Sequence, residues 1–177
     1  MSIVRAAAVA AVTTVCLAGA ATGTAQADGL GSSTGATPSV SNYAYQDSSL
    51  DVQANGQADG TRVGTYGTNY SGAQSVGWYG FDGDTFALLP GTSGKVLDLD
   101  VASGTVQIWD AGPGTDFNAA NGGALPANQR WHKYYSNNGW SVLQNVATGQ
   151  CLKSNGPGTY LSVAACNPSD FSQVWHF

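Results

Sequence analysis

Gln129-Arg130-Trp131 and Gln173-Val174-Trp175 decide how this chain folds. Each tripeptide closes a stretch that begins with a turn and a Leu-bearing strand. The openings are Thr92-Ser93-Gly94-Lys95-Val96-Leu97-Asp98 and Ala147-Thr148-Gly149-Gln150-Cys151-Leu152-Lys153. That is an internal repeat, and a repeat constrains architecture more than any single motif does. A third, worn copy lies upstream. It opens Gln46-Asp47-Ser48-Ser49-Leu50-Asp51-Val52 and ends near Gln74-Ser75-Val76-Gly77-Trp78, with Trp78 read as the counterpart of Trp131 and Trp175. The three units run over residues 42–82, 83–135 and 136–177.

Between these landmarks, short strand-like runs alternate with turn signals. Thr85-Phe86-Ala87-Leu88-Leu89, Val96-Leu97-Asp98-Leu99, Thr105-Val106-Gln107-Ile108-Trp109 and Trp140-Ser141-Val142-Leu143 are such runs. Pro90-Gly91, Ser93-Gly94, Ser103-Gly104, Thr148-Gly149 and Asn155-Gly156-Pro157-Gly158 are the turns. No segment after residue 41 has a sustained helical period with caps, so the expected class is all-β. One unit cannot bury the apolar faces of its own strands. Three units stacked about an axis can, and closing the sheet removes its free edges.

The N-terminus reads differently. Arg5 is its one early charge, Ala6 to Ala21 is small and apolar, and Ala25-Gln26-Ala27 is a small-x-small cleavage site. Residues 1–27 therefore read as a secretory signal peptide, with Asp28 first in the mature chain and the protein expected outside the cell. A membrane anchor is disfavoured, because the run is short and no basic stop-transfer segment follows. Residues 28–41 (DGLGSSTGATPSVS) form a Gly/Ser/Thr linker. The Gly31-Ser32-Ser33-Thr34-Gly35 pattern within it lacks the strand and helix that a nucleophile elbow needs.

Of the three cysteines, two remain after the leader, Cys151 and Cys166. An even pair in an oxidising compartment suggests a disulfide, stabilising by about 3 kcal/mol in the chain-entropy picture. The formal charge is −5, and loss of Arg5 makes it −6. All eleven acids are Asp, and the few cations are scattered. Nucleic acid and anionic membranes are therefore poor partners. No zinc or calcium ligand spacing is present, so no metal or cofactor is expected.

Three units with these openings and Gln-x-Trp ends resemble the ricin-B-type β-trefoil lectin family, also called carbohydrate-binding module family 13. The resemblance covers Asn42 to Phe177. It implies a six-stranded barrel capped by three hairpins, with the closing Trp in the core and the Gln tying strand to loop. It also implies a sugar site in each intact repeat. A carboxylate follows the opening Leu, a Gln stands two residues before a stacking aromatic, and an Asn-Gln pair precedes x-Trp. The second repeat matches throughout, with Asp98, Gln107, Trp109, Asn128 and Gln129. Asp98 is expected to accept vicinal hydroxyls in bidentate fashion and Trp109 to stack on the sugar's C–H face. Gln107 and Asn128 would be amide partners, and Gln129 mainly a brace. Asp100 shares the strand face of Asp98.

The first repeat keeps Asp51 and Tyr66 but has Gly64 for the Gln, which predicts a weaker second site. The third has Lys153, Ser162 and Ala164 at the three positions, which predicts a structural copy. Val96 and Ala111, and Ser49 and Thr68, stand where the family pairs cysteines. Gly112 to Ala127 is an insertion beside the second site, able to shape or cover it. His132, His176 and Tyr79 each follow a closing Trp, which argues for a shared structural role. Asp98/Asp100 and Asp82/Asp84 are neighbours on a strand and cannot flank a glycosidic bond from opposite sides, so no enzyme is expected. The expectation is a secreted, monomeric lectin binding extracellular glycan of galactose or arabinose/xylose type, as the resemblance implies. The rival is a trefoil without sugar binding that acts through protein contacts, for instance as an inhibitor of secreted hydrolases.

Overall fold

The computed structural model describes residues 39–81, 85–117 and 123–177. The leader, most of the linker, Asp82, Asp84 and the middle of the insertion lie outside the described residues. Thirteen strands are present among those described. They are β1 (Ser41–Asn42), β2 (Tyr45–Val52), β3 (Val63–Gly67), β4 (Val76–Gly80), β5 (Thr85–Pro90), β6 (Val96–Asp100), β7 (Thr105–Trp109), β8 (Trp131–Asn137), β9 (Trp140–Asn145), β10 (Cys151–Lys153), β11 (Thr159–Tyr160), β12 (Ser162–Ala164) and β13 (Val174–His176).

The pattern is the β-trefoil one. The first and fourth strands of each repeat build the barrel, ordered β1-β13-β9-β8-β5-β4 through antiparallel ladders. The middle strands form the hairpins β2–β3, β6–β7 and β10–β12. No ladder joins β4 to β1 among the described residues. β1 is only two residues long before the chain turns into β2, and Val40 instead bonds Leu50 through its carbonyl.

Leu50, Leu97 and Leu152 occupy equivalent hairpin positions and are fully buried. They meet Trp131 and Trp175 in one core with Leu88, Phe86 and Leu143. Each Trp also finds a partner for its indole N–H, as a buried Trp must. Trp131 donates to Leu97 O at 3.0 Å and Trp175 to Leu152 O at 3.1 Å.

The first repeat corrects the reading of its closing motif. Its Trp counterpart is Val76, not Trp78. Val76 pairs with Pro90 in β5, as Trp131 pairs with Asn145 and Trp175 with Asn42 at the equivalent rungs. Gln74 precedes Val76 by two and is as buried as Gln129 and Gln173. Each of the three ends a short 3-10 turn: Gly72–Gln74, Ala127–Gln129 and Phe171–Gln173. Trp78 lies two residues further, on the same strand face, level with Lys133 and Phe177. There it packs on Phe177 with ring centroids 4.9 Å apart. A small closing residue is filled in by aromatics one layer along the barrel. In this register Gly77, not Tyr79, corresponds to His132 and His176. His176 packs on Trp140 at 4.9 Å.

One structural position is stapled in three ways. Cys151 and Cys166 form a disulfide. Ser49 and Thr68 share a 2.7 Å hydroxyl hydrogen bond instead. Val96 and Ala111 belong to an apolar cluster with Phe81, Ala87 and Leu125.

Candidate functional site

The second-repeat residues converge. Asp98 and Gln107 face each other directly across the β6–β7 hairpin, and Trp109 stands two residues on, opposite Val96. Residues two apart on a strand share a face, so Gln107 and Trp109 point the same way. The Ala127–Gln129 turn brings Asn128 and Gln129 to the same place. All five line one open cleft of about 600 Å³, together with Asp100, Asp110, Gly112 and Pro126.

Asp98 is the hub, only 4% exposed. Its Oδ1 accepts from Gln107 Nε2 at 3.0 Å. Its Oδ2 accepts from Asn128 Nδ2 at 2.8 Å and Gln129 Nε2 at 3.1 Å. A carboxylate buried this deeply needs such partners. The same bonds revise the expected role of Asp98. Three of its roughly four acceptor positions are occupied by protein, which leaves one for a ligand. A bidentate grip on two hydroxyls is closed in this arrangement unless an amide gives way. Trp109 is 43% exposed and presents its indole to the cleft. Its back is set by the first repeat. Gly60 donates its N–H to Ile108 O, and a Cβ at Gly60 would stand 3.8 Å from both the indole Cζ3 and Gln107 Oε1.

Gln129 serves as brace and as site residue. Its Nε2 also donates to Asp110 O at 3.1 Å, tying the turn to the end of β7. Gln74 and Gln173 make the same tie, to Gly67 O and Ala165 O. In those two repeats the amide oxygen in turn accepts a backbone N–H, from Asn69 and Tyr70 or from Asn167. In the second repeat the chain leaves on the insertion, and Gln129 Oε1 is buried without a donor.

The described flanks of that insertion form a wall of the cleft through Gly112 and Pro126. They anchor away from Trp109, with Phe117 stacked on Tyr79 at 4.5 Å and Leu125 buried against Phe81 and Ala87. Asp100 caps the β6–β7 turn. Its carboxyl lies below the usual range because Ser103 Oγ–H, and then Ala102 N–H, donate to it. Asp110, which its sequence context did not single out, contacts Lys95, and Lys95 also pairs with Asp59 at 2.8 Å. Among the described residues no group of His, Cys and carboxylates is arranged to hold a metal ion.

The first repeat also forms a cleft, of about 580 Å³, and Asp51 and Tyr66 both line it. Burial pushes the Asp51 carboxyl above its usual range, against the amide of Gln74. The reason for Gly64 is steric. A Cβ there would come within 2.5 Å of Thr159 O, because β11 of the third repeat pairs across β3. Tyr160 therefore enters this cleft from another repeat, with the Arg62 guanidinium 4.4 Å over its ring. No local signal in the third repeat points to that placement. In the third repeat Lys153 pairs with Asp170 at 3.1 Å. Asp170 lies at about 2, lowered by Ser172 and then by Lys153.

No protein-family model matches the chain, and no curated protein matches it. Solved structures do. A designed three-fold symmetric protein, ThreeFoil, is 19% identical with a TM-score of 0.65, covering 78% of this chain and 94% of that one. An exo-β-1,3-galactanase from Clostridium thermocellum is 19% identical with a TM-score of 0.61, covering 78% of this chain and 29% of its own. The Polyporus squamosus lectin, solved with a sialylated human-type influenza-binding epitope, is 14% identical with a TM-score of 0.60, covering 78% and 47%. At these identities the likeness is one of fold, and the fold is the β-trefoil.

Proposed function

We propose that this chain is a secreted, non-catalytic carbohydrate-binding protein that recognises extracellular glycan of galactose or arabinose/xylose type chiefly through the second-repeat cleft. One observation carries the reading: Asp98, Gln107, Trp109, Asn128 and Gln129 come from three separate stretches and line one open cleft. A sugar needs an apolar platform for its C–H face and fixed polar groups for its hydroxyls. Trp109 is the platform. The spare acceptor of Asp98 and the outward oxygens of Gln107 and Asn128 are the polar groups. Binding proteins and glycosidases among the structures of like fold, such as the Polyporus squamosus lectin and the galactanase, support a sugar ligand. Secretion is supported by the leader sequence and the Cys151–Cys166 disulfide. One matched cleft and a weaker one imply modest affinity unless several copies act together.

A second reading, a scaffold acting through protein contacts such as hydrolase inhibition, draws on the saturation of Asp98. A carboxylate with three internal N–H partners could serve the turn alone. A glycan array with wild type and Trp109→Ala decides between them. Signal from wild type that is lost in Trp109→Ala supports sugar binding. An array blank for wild type overturns it.

A further inference from the structure

Resting on the glycan reading of the second-repeat cleft, we infer that this cleft sorts sugars by charge. It prefers an amine-bearing sugar to its neutral counterpart and rejects the uronic acid. Among the described residues three carboxylates line it, Asp98, Asp100 and Asp110, and no Lys or Arg does. The neighbouring cation, Lys95, is already bonded to Asp59 and Asp110. Lys95 thus offsets part of the charge of Asp110 and leaves Asp98 and Asp100 without a cationic partner among the described residues.

The hydrogen-bond directions point the same way. Gln107, Asn128 and Gln129 all turn their N–H groups onto Asp98. Asn128, whose second N–H goes to Leu99 O, has its oxygen left for a ligand, and Gln107 keeps its oxygen and one N–H. Behind them Gln129 Oε1 is buried without a partner, whereas its two counterparts, Gln74 and Gln173, have backbone donors. A ligand that brings donors meets more partners here than one that brings acceptors. A hydroxyl brings one, an ammonium three, and a carboxylate none. Charge acts in the same order, since like charges in a partly walled cleft repel more than in open water. The third repeat has Lys153 at the Asp98 position and offers no such field.

The test titrates the disulfide-intact protein calorimetrically with two matched series: galactose, galactosamine and galacturonate, and glucose, glucosamine and glucuronate. At about pH 6 the amines are cationic and the uronates anionic. In at least one series the amine sugar is expected to bind about threefold to tenfold tighter than the neutral one at low salt, and the uronate weaker by a similar factor. High salt should narrow the spread. Asp100→Asn, which keeps an oxygen for Ala102 N–H, should narrow it at low salt too. Equal affinities within each series, with neutral sugar still bound, overturn this inference and leave the glycan reading standing. No binding by any sugar, with the oligosaccharide array also blank, overturns both.

Discussion

The second and third repeats carry the same scaffold and opposite chemistry. Both bury a Leu just before the carboxylate position, both close on a Gln-x-Trp turn, and both Trp side chains donate to the carbonyl of that Leu. On this common frame the second repeat places Asp98 among three amides beside an exposed indole. The third places Lys153 against Asp170 and leaves Ala164 where the indole would stand. Its disulfide takes over the stabilising role that Val96 and Ala111 perform by packing alone. The lesson is that symmetry in this fold resides in the buried layer, while the exposed positions are free to diverge.

The largest expected effect tests the shared layer. Trp131→Ala should destabilise by about 3–5 kcal/mol, and Val76→Ala, at the equivalent place with fewer atoms to lose, by about 2 kcal/mol. Urea unfolding followed by fluorescence measures both. Equal losses would break the equivalence of Val76 and Trp131.

Next is the staple. Replacing Cys151 and Cys166 by Ser should lower stability by about 3 kcal/mol, whereas Ser49→Ala at the corresponding place should cost about 1 kcal/mol. A double Ser variant as stable as wild type would show that the third repeat does not depend on its bridge.

Binding follows. Asp98→Ala and Trp109→Ala should each weaken glycan binding by more than about 1.5 kcal/mol, and Lys153→Ala should leave it unchanged. Asp98→Ala should also unfold at lower urea, because three amides lose their acceptor. Trp109→Ala should not. Calorimetric titration paired with unfolding curves separates the two roles.

The smallest effect is acid sensitivity in the third repeat. The hydrogen bond from Ser172, and then Lys153, hold the Asp170 carboxyl at about 2 in the folded chain, below the usual carboxylate range. A depressed carboxylate stabilises at pH values above the unfolded pKa, and that contribution is lost as pH falls from about 4 through about 2. Asp170 is partly solvated, so the effect should be of surface-pair size, about 0.2–1 kcal/mol. Asp170→Asn should flatten the stability curve across that window. Asp51 has the opposite sign. Its raised carboxyl destabilises at neutral pH, and that penalty is relieved on acidification, so Asp51→Asn should gain slightly near neutrality and change little in acid.

Much of the frame was legible. Leu50, Leu97 and Leu152 mark equivalent hairpin positions, the Asp98, Gln107, Trp109, Asn128 and Gln129 set converges, and the Cys151–Cys166 pair is bonded. The end of the first repeat was misread because Trp78 is a louder residue than Val76. The Gln spacing held the answer: Gln74-Ser75-Val76 matches Gln129-Arg130-Trp131 position for position, with the Gln alone shared. The role of Asp98 was legible as a position and not as a hydrogen-bond count, since acceptor occupancy depends on where Asn128 and Gln129 arrive from thirty residues away.

By itself the sequence determined the all-β class, the three-fold repeat and the composition of each exposed position, because turn residues, apolar period and buried Leu and Trp act locally and recur. Only the tertiary structure decided that β11 crosses Gly64 and carries Tyr160 into the first repeat's cleft. It alone decided that Lys95 is drawn between Asp59 and Asp110, and that Gln129 Oε1, unlike its counterparts in Gln74 and Gln173, is buried without a donor. Each of these depends on contact between segments distant in the chain. Such contacts follow from how three units close around one core, and no single unit encodes them.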